Sequence, residues 1–217
     1  MVTVSRFMSR VIIEFRDVYK SFNGLLVHKG INLSILKGES MSLLGGSGSG
    51  KSVLLKELIG LMKPDKGDIT VFGKNVTHMK EDELIKLREH VGMLFQGAAL
   101  FDSLTVFENI AYPLREHLQL TEKEIRERVA EKLRLVGLIS IELKMPAELS
   151  GGMKKRVGLA RAIATEPDII LYDEPTTGLD PRTAQRINEL IVELQKKLGI
   201  TTIVVTHDLH CVKTVSD

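Results

Sequence analysis

A glycine-rich stretch in the first quarter of the chain sets the strongest limit on its fold. Residues 45–52 fit the pattern G-x-x-x-x-G-K-[ST], in which a loop joins a strand to the start of a helix. The apolar residues just before the loop predict a buried strand, and the Leu- and Ile-rich run 53–62, which stops before Pro64, predicts a helix. The sequence therefore predicts an α/β fold built around a phosphate-binding loop.

The residue types of this loop match the chemistry of a triphosphate site. Glycines let consecutive backbone N–H groups face one anion, and the start of the following helix adds about half a positive charge. Lys51 is placed to reach the β- and γ-phosphates, and the Ser52 hydroxyl is placed to bind Mg²⁺. A flexible Gly/Ser linker is the alternative, but the flanking strand and helix argue against it. We therefore predict that the nucleotide is bound by Gly45, Gly46, Ser47, Gly48, Ser49, Gly50, Lys51, Ser52 and Val53.

Two carboxylates and a histidine follow two later predicted strands. Asp173 and Glu174 end the apolar run 169–172, and His207 follows the β-branched run 201–205. Ligands bind at the carboxyl ends of the strands in open α/β sheets, so these side chains are expected near the phosphate loop. A surface position is the alternative for each of them. The phosphate loop in the same chain favours a functional role for the carboxylates, and both interpretations stay open for His207.

Phe22 lies beside a turn between two predicted N-terminal strands. Apolar and alternating patterns indicate strands at residues 11–18 and 31–35, and Asn23-Gly24 indicates the turn. The Phe22 ring either packs loosely in the core or stacks on an adenine base. The local sequence leaves both alternatives open.

Helices dominate the middle of the chain. A capping box at Thr121 begins one helix, which ends at Gly137. Ser150 is the predicted N-cap of a further helix, whose first turn contains Gly151 and Gly152. Two glycines at that position lower helix stability, and they are better explained where a backbone closely approaches a ligand.

Charge and composition exclude several classes of protein. The net charge of +2 gives no support for nucleic-acid binding, and the basic run 154–156 is expected to be a solvated helix face. The single Cys211 excludes an internal disulfide framework and fits a reducing compartment. No apolar run approaches the ~20 residues of a membrane span, and residues 1–10 lack the apolar segment of a signal peptide. We expect one soluble domain that reaches a membrane only through a partner.

Six short motifs in a fixed order carry a resemblance to a known family. Over about residues 11–217 the chain resembles the nucleotide-binding subunits of ABC transporters. The motifs are residues 45–52 (Walker A), Gln96 (Q-loop), residues 149–153 (signature), residues 169–174 (Walker B), residues 177–180 (D-loop) and His207 (H-loop).

The resemblance implies a fold and a division of the chain. It implies a P-loop NTPase core with a mixed, mainly parallel sheet, an N-terminal antiparallel β part and an inserted α-helical subdomain. Residues 1–217 are then a single nucleotide-binding domain. Its RecA-like core and β subdomain are expected in residues 1–95 and 166–217, and its helical signature subdomain in about residues 96–165.

The resemblance also implies a role for each motif residue. Glu174 matches the general base that polarises the attacking water, and His207 resembles the residue that holds the γ-phosphate. Ser52 and Asp173 resemble the Mg²⁺ ligands, and Gln96 resembles a residue that senses both the metal and the γ-phosphate. The implied cofactors are ATP and Mg²⁺, and the implied reaction is hydrolysis of ATP to ADP and phosphate.

The signature implies a second subunit. Ser150, Gly151 and Gly152 resemble residues that close over the ATP of the opposite subunit, so a head-to-tail homodimer with two ATP molecules is expected. A capped helix opened by glycines is an anion site, and here it has no phosphate of its own chain to bind. Phe22 falls where the family places its adenine-stacking aromatic residue, and Met153 stands where the family usually has Gln.

A closer resemblance concerns the run 95–117, which is similar to the ATPases of Mla-type (maintenance of lipid asymmetry) systems. These bacterial systems move phospholipid and work with MCE proteins. The implied partners are integral membrane permease subunits and an MCE-type lipid-binding protein, at the cytoplasmic face of the inner membrane. Family members usually continue past the position of Asp217, so we expect a sheet edge to be missing here relative to the family.

Two other functions compete with a transporter ATPase. A soluble ABC-family ATPase of iron–sulfur assembly or DNA repair shares these motifs without a permease. Against DNA repair, the chain has no long coiled-coil insertion and no basic excess. A degenerate subunit that binds ATP without hydrolysing it is disfavoured by the intact Asp173, Glu174, Gln96 and His207. The transported substrate and the direction of transport stay open.

Overall fold

The computed structural model describes residues 11–216. The expectations for residues 1–10 and for Asp217 lie outside the described residues. In chain order the elements are β1 (Val11–Phe22), β2 (Leu25–Leu36), β3 (Ser40–Leu44), α1 (Lys51–Leu58), β4 (Lys66–Val71), β5 (Lys74–Asn75), α2 (Glu81–Arg88), β6 (Val91–Leu94), α3 (Val106–His117), α4 (Glu122–Leu135), α5 (Gly151–Ala162), β7 (Ile169–Asp173), α6 (Pro181–Leu198), β8 (Thr201–Thr206) and α7 (Leu209–Val215).

The antiparallel strands form a sheet of their own, in the order β2-β1-β4-β5. β1 and β2 are longer than the predicted strands. Polar positions interrupt the sequence pattern, but the pairing of the two strands continues past them through shifts in register. The predicted turn joins them, with Asn23 at φ 49° and Gly24 at φ 82°. Such a pair of left-handed residues is typical of a tight hairpin turn.

The second sheet is parallel throughout its described strands, in the order β3-β8-β7-β6. Every residue of β7 and β8 is buried, as their apolar and β-branched sequences predict for central strands. In the register of the sheet, Leu44 pairs with Thr206 and Asp173 pairs with Val205. The carboxyl ends of β3, β7 and β8 therefore meet at one edge, and the residues that follow them are brought together.

The α1 helix differs from its predicted bounds at both ends. It begins at Lys51, inside the glycine-rich motif, and ends at Leu58 rather than before Pro64. Gly60 adopts a left-handed φ of 66°, which stops the helix early. The helix packs on the apolar cluster between the two sheets, which includes Leu55 and Leu58.

Local capping signals located the later helices correctly. Thr121 and Glu124 form the predicted capping box of α4, and the Asp180 side chain accepts hydrogen bonds at the start of α6. Gly199 ends α6 with φ 65°. The helix α3, capped by Thr105, was not predicted as a separate element. The helices α3, α4 and α5 follow β6 and precede β7 in the chain and pack on one another, which agrees with an inserted helical part. The proposed domain boundaries stay a prediction.

No helix within residues 11–216 is long and apolar enough to cross a membrane. Most buried apolar residues belong to two clusters. One lies under the helices α3 to α6, and the other lies between α1 and the sheets. These two clusters support the strands whose ends carry the predicted site.

Candidate functional site

The glycine-rich loop joins β3 to α1 and surrounds the Lys51 side chain. The Lys51 ammonium donates to the carbonyl oxygens of Gly45 at 2.6 Å and Gly46 at 3.0 Å. Gly50 is the N-cap of α1, with φ 94° and ψ 2°, a conformation that residues with a Cβ rarely adopt. The loop is anchored to the sheet through the Gly45 amide, which donates to the Thr206 carbonyl at 3.2 Å.

A cavity of about 510 Å³ opens over this loop. It brings together most of the residues predicted for nucleotide binding and catalysis, from five separate parts of the chain. Val27 of β2 also lines it and was not predicted. The lining residues are Phe22, Val27, Gly46, Ser47, Gly48, Ser49, Gly50, Lys51, Ser52, Val53, Gln96, Glu174 and His207.

Glu174 lies at the centre of the polar contacts in this cavity. One carboxylate oxygen is 3.4 Å from the Lys51 ammonium, and the other is 2.8 Å from Nδ1 of His207 and accepts from the Thr177 hydroxyl at 3.1 Å. Since an ionised carboxylate only accepts hydrogen bonds, Nδ1 of His207 carries the proton in this contact. Burial acts to raise the pKa of Glu174, but the hydrogen bonds from His207 and Thr177 and the charge of Lys51 outweigh it and lower that pKa. Glu174 is therefore an ionised base at neutral pH.

Ser52 and Asp173, the two residues that resemble Mg²⁺ ligands, lie in contact with each other. The Ser52 hydroxyl donates to a carboxylate oxygen of Asp173 at 2.7 Å, and Asp173 is 8% exposed. A hydroxyl beside a carboxylate is the oxygen ligand set that Mg²⁺ uses at phosphate sites, where substrate and water complete its shell. Within residues 11–216 no cluster of three or more His, Cys, Asp or Glu side chains could hold a metal by itself. These residues fit a nucleotide-bound Mg²⁺ rather than a metal held by protein alone.

Phe22 stands at the rim of the cavity and is 39% exposed, so it is not a core residue. The chain before it is fixed by Asp65, which accepts from the Ser21 amide at 2.7 Å and from the Lys20 ammonium at 2.7 Å. The hydrogen bonds from Lys20 and Ser21 lower the pKa of Asp65 to about 2. The aromatic ring therefore lines the cavity beside the loop, and its stacking on a base stays a prediction.

Lys155 corrects one sequence-based expectation. The basic run 154–156 was expected to be a solvated helix face, but Lys155 is only 4% exposed. Its ammonium donates to the carbonyl oxygens of Gln96 and of Glu174, the latter at 3.1 Å. Burial lowers the pKa of Lys155, while the carboxylates of Asp173 and Glu174 act in the opposite direction. The expectation is wrong for this residue because α5 turns it toward the site.

The signature residues lie apart from the lining of this cavity. Ser150 is exposed and caps α5, accepting from the Met153 amide at 3.3 Å, as predicted. Gly152 is buried, and a Cβ there would lie 2.5 Å from the Thr183 methyl group, so helix packing alone accounts for this glycine. Gly151 is exposed. Contact of these residues with the nucleotide of a second subunit stays a prediction.

A buried His–Glu pair supports the loop and was missed by the sequence analysis. Nε2 of His28 lies 3.0 Å from the Gly50 carbonyl oxygen, and its Nδ1 lies 2.9 Å from a carboxylate oxygen of Glu57. Burial acts to lower the pKa of His28, but its interactions with Glu57 and Gly50 outweigh it and raise that pKa. The two residues are far apart in the sequence, on β2 and α1, and no local pattern links them.

Comparisons with known proteins agree with this geometry. The family model described as ABC transporter matches residues 28–177. In structure the chain is similar to the dimeric ATP-binding cassette MJ0796 in a post-hydrolysis state bound to ADP and Pi, with a TM-score of 0.87, 34% identity, and coverage of 94% of this chain and 91% of that chain. The predicted α/β class with a P-loop core is thereby confirmed.

Sequence relatives confirm the predicted resemblance to Mla-type ATPases. The chain is 41% identical over 210 residues to the intermembrane phospholipid transport system ATP-binding protein MlaF of Haemophilus influenzae, covering 97% of this chain and 80% of that protein. It is 45% identical over 207 residues to the probable ribonucleotide transport ATP-binding protein mkl of Mycobacterium leprae, covering 95% of this chain. The chain spans 60% of the length of that mycobacterial relative. On the family match and these identities, the chain belongs to the ABC transporter family of ATP-binding proteins.

Proposed function

We propose that this protein is the Mg²⁺-dependent ATPase subunit of a membrane transporter. The observation that carries the proposal is the position of the Glu174 carboxylate. It is ionised, 8% exposed and held between Lys51 and His207 at the mouth of the phosphate loop. Hydrolysis needs a base that is buried next to the phosphate site. A module that only binds nucleotide does not need such a base.

Each side of the cavity has a separate task in this mechanism. The Phe22 ring stacks on the adenine, while the loop amides and Lys51 bind the phosphates. Glu174 orients the attacking water and accepts its proton, and His207 holds the carboxylate of that base in place. Ser52, Asp173 and Gln96 would hold Mg²⁺, which would offset the negative charge of the phosphates.

A second copy of the chain completes the site in this proposal. The start of α5, with its exposed Ser150 and Gly151, offers free backbone N–H groups to an anion, yet it is not part of the cavity of its own chain. A head-to-tail homodimer would place it over the ATP of the partner. The dimeric state named for MJ0796 supports this arrangement.

We infer that the transported substrate is phospholipid and that the remaining partners are membrane permease subunits and an MCE-type lipid-binding protein. The similarity to the MlaF proteins, which are named for phospholipid transport, supports this. A permease would hold the ATPase at the cytoplasmic face of the inner membrane. The net charge of +2 gives no reason to include nucleic acid among the partners.

The hydrolysis step is tested with Glu174→Gln, which keeps the shape of the side chain and removes the base. We expect steady-state ATP turnover to fall by about 10²-fold or more, while binding of a fluorescent ATP analogue is kept. Lys51→Ala is the matched control, in which binding itself is lost. Near-normal turnover by the Glu174 variant would remove the proposed base.

The transport assignment needs a separate experiment. The tagged protein, expressed in its own host, is purified from detergent-solubilised membranes. An integral membrane subunit is expected to copurify with it. Recovery of the ATPase without any membrane subunit would contradict the transporter assignment while leaving the ATPase assignment intact.

A further inference from the structure

Lys155 connects two loops that carry catalytic residues. It extends from the first half of α5 into the protein interior, where it is 4% exposed. Both of its hydrogen-bond acceptors are main-chain carbonyl oxygens, that of Gln96 after β6 and that of Glu174 after β7. One ammonium group therefore links α5 to both loops.

The burial of this charge needs an explanation. An ammonium group that leaves water loses much solvation free energy unless polar partners replace the water. A general structural role would explain Lys155 if its partners lay away from the site, as they do for Lys132. Lys132 is 1% exposed and pairs with Glu131 at 3.3 Å and Glu166 at 2.9 Å. The partners of Lys155 instead belong to the catalytic loops.

The backbone of Glu174 shows why such a contact matters. Glu174 adopts a left-handed φ of 49°, which is unfavourable for a residue with a Cβ and persists only where surrounding contacts hold it. Its amide donates to the Val205 carbonyl at 2.9 Å, and its own carbonyl accepts from Lys155. The strained residue is thus held on both sides, and this conformation directs its carboxylate toward Lys51 and His207.

We propose that Lys155 is a positioning residue for ATP hydrolysis, which holds the main chains of Gln96 and Glu174 in place and thereby fixes the direction of the Glu174 carboxylate. The proposal rests on the proposed function of Glu174 as the base. Because both hydrogen bonds of Lys155 go to main-chain carbonyl oxygens, it acts through Glu174 rather than on the nucleotide. Removal of the Lys155 ammonium should therefore lower the rate of the chemical step and leave ATP binding unchanged.

The test compares Lys155→Met, which has nearly the same length and no donor, with Lys155→Arg, which keeps the charge and the donors. For Lys155→Met we expect kcat to fall about 10- to 100-fold, as for a misplaced catalytic group, with KM for ATP and the affinity for a fluorescent ATP analogue within about threefold of wild type. Lys155→Arg should recover a large part of the lost kcat.

Lys132→Met is the control for removal of a buried lysine. It should lower the melting temperature and leave kcat within about twofold, since its partners lie outside the site. A purely structural role of Lys155 predicts the same result for Lys155→Met, and that result would overturn the proposal. If Lys155→Met does not fold, Lys155→Gln is measured with the same criteria for kcat and KM.

A double-mutant cycle separates this inference from the proposed function. In the Glu174→Gln background, Lys155→Met should lower the residual turnover by less than about twofold, because residues that act as a unit are not additive. A full additional loss would show that Lys155 acts by another route and would refute the proposal. Wild-type turnover by Glu174→Gln would refute the proposed function itself. Wild-type kcat for Lys155→Met beside an inactive Glu174→Gln would refute only the role of Lys155.

Discussion

Gly50 is the position where a single methyl group should disturb the phosphate loop most. It is the N-cap of α1 and has a left-handed φ of 94°. A Cβ at this position would lie 2.4 Å from Cγ1 of Val27 and 2.8 Å from Nε2 of His28, both on β2. Gly50→Ala must therefore strain the backbone and also push β2 away from the start of α1.

The expected loss of stability is the sum of two contributions. A left-handed conformation costs about 1–2 kcal/mol for a residue with a Cβ. Overpacking of a closely packed contact costs about 1–3 kcal/mol. Gly50→Ala should therefore lower the free energy of unfolding by about 2–5 kcal/mol. For a domain of this size, that corresponds to a decrease in melting temperature of roughly 4–20 °C.

Urea denaturation of Gly50→Ala and Gly48→Ala measures the packing contribution directly. Gly48 also has a positive φ, of 76°, but no atom lies within 4 Å of the Cβ it would acquire. Gly48→Ala should show only the conformational loss of about 1–2 kcal/mol. Equal losses of unfolding free energy for the two variants, or no loss for Gly50→Ala, would show that β2 does not restrain the start of α1.

Two other residues give predictions outside the catalytic step. Phe22→Ala should weaken ATP binding about 2- to 12-fold, from a stacking contribution of about 0.5–1.5 kcal/mol, and Phe22→Tyr should not; equal affinities by calorimetry would remove the base-stacking role. The pKa of His28 is raised in the folded state by its interactions with Glu57 and Gly50. These interactions therefore stabilise the fold fully at a pH below the unfolded-state pKa of the histidine. The stabilisation is lost as the pH rises through the folded-state pKa. In urea denaturation, the stability advantage of wild type over His28→Leu should therefore shrink as the pH rises above the ordinary histidine pKa of about 6.5, and a constant difference would contradict the pairing.

Features set by neighbouring residues were predictable from the sequence. The caps formed by Thr121, Ser150 and Asp180 depend on hydrogen bonds to amides two or three residues away, so the sequence alone located them. The position of Asp173 and Glu174 was also predictable, because a buried parallel strand delivers its final residues to the ligand-binding edge.

Features that depend on how elements pack were not predictable in this way. Lys155 stands among basic residues typical of an exposed helix face, and only the orientation of α5 against β6 buries it. His28 and Glu57 lie 29 positions apart, and neither carries a local signal for burial. Each is a charged or titratable residue in the core, and such residues become informative only when their partners are known.

Two buried side chains beside this site, His28 and Lys155, restrain main-chain atoms rather than a ligand. His28 contacts the Gly50 carbonyl at the start of α1, and Lys155 contacts the carbonyls of Gln96 and Glu174. Gly50 and Glu174, which both have a positive φ, therefore each have a buried polar side chain next to their carbonyl oxygen. Because phosphate binding and base catalysis both depend on groups held in place before the ligand arrives, these supports explain how a loop rich in glycine can still form a precise site.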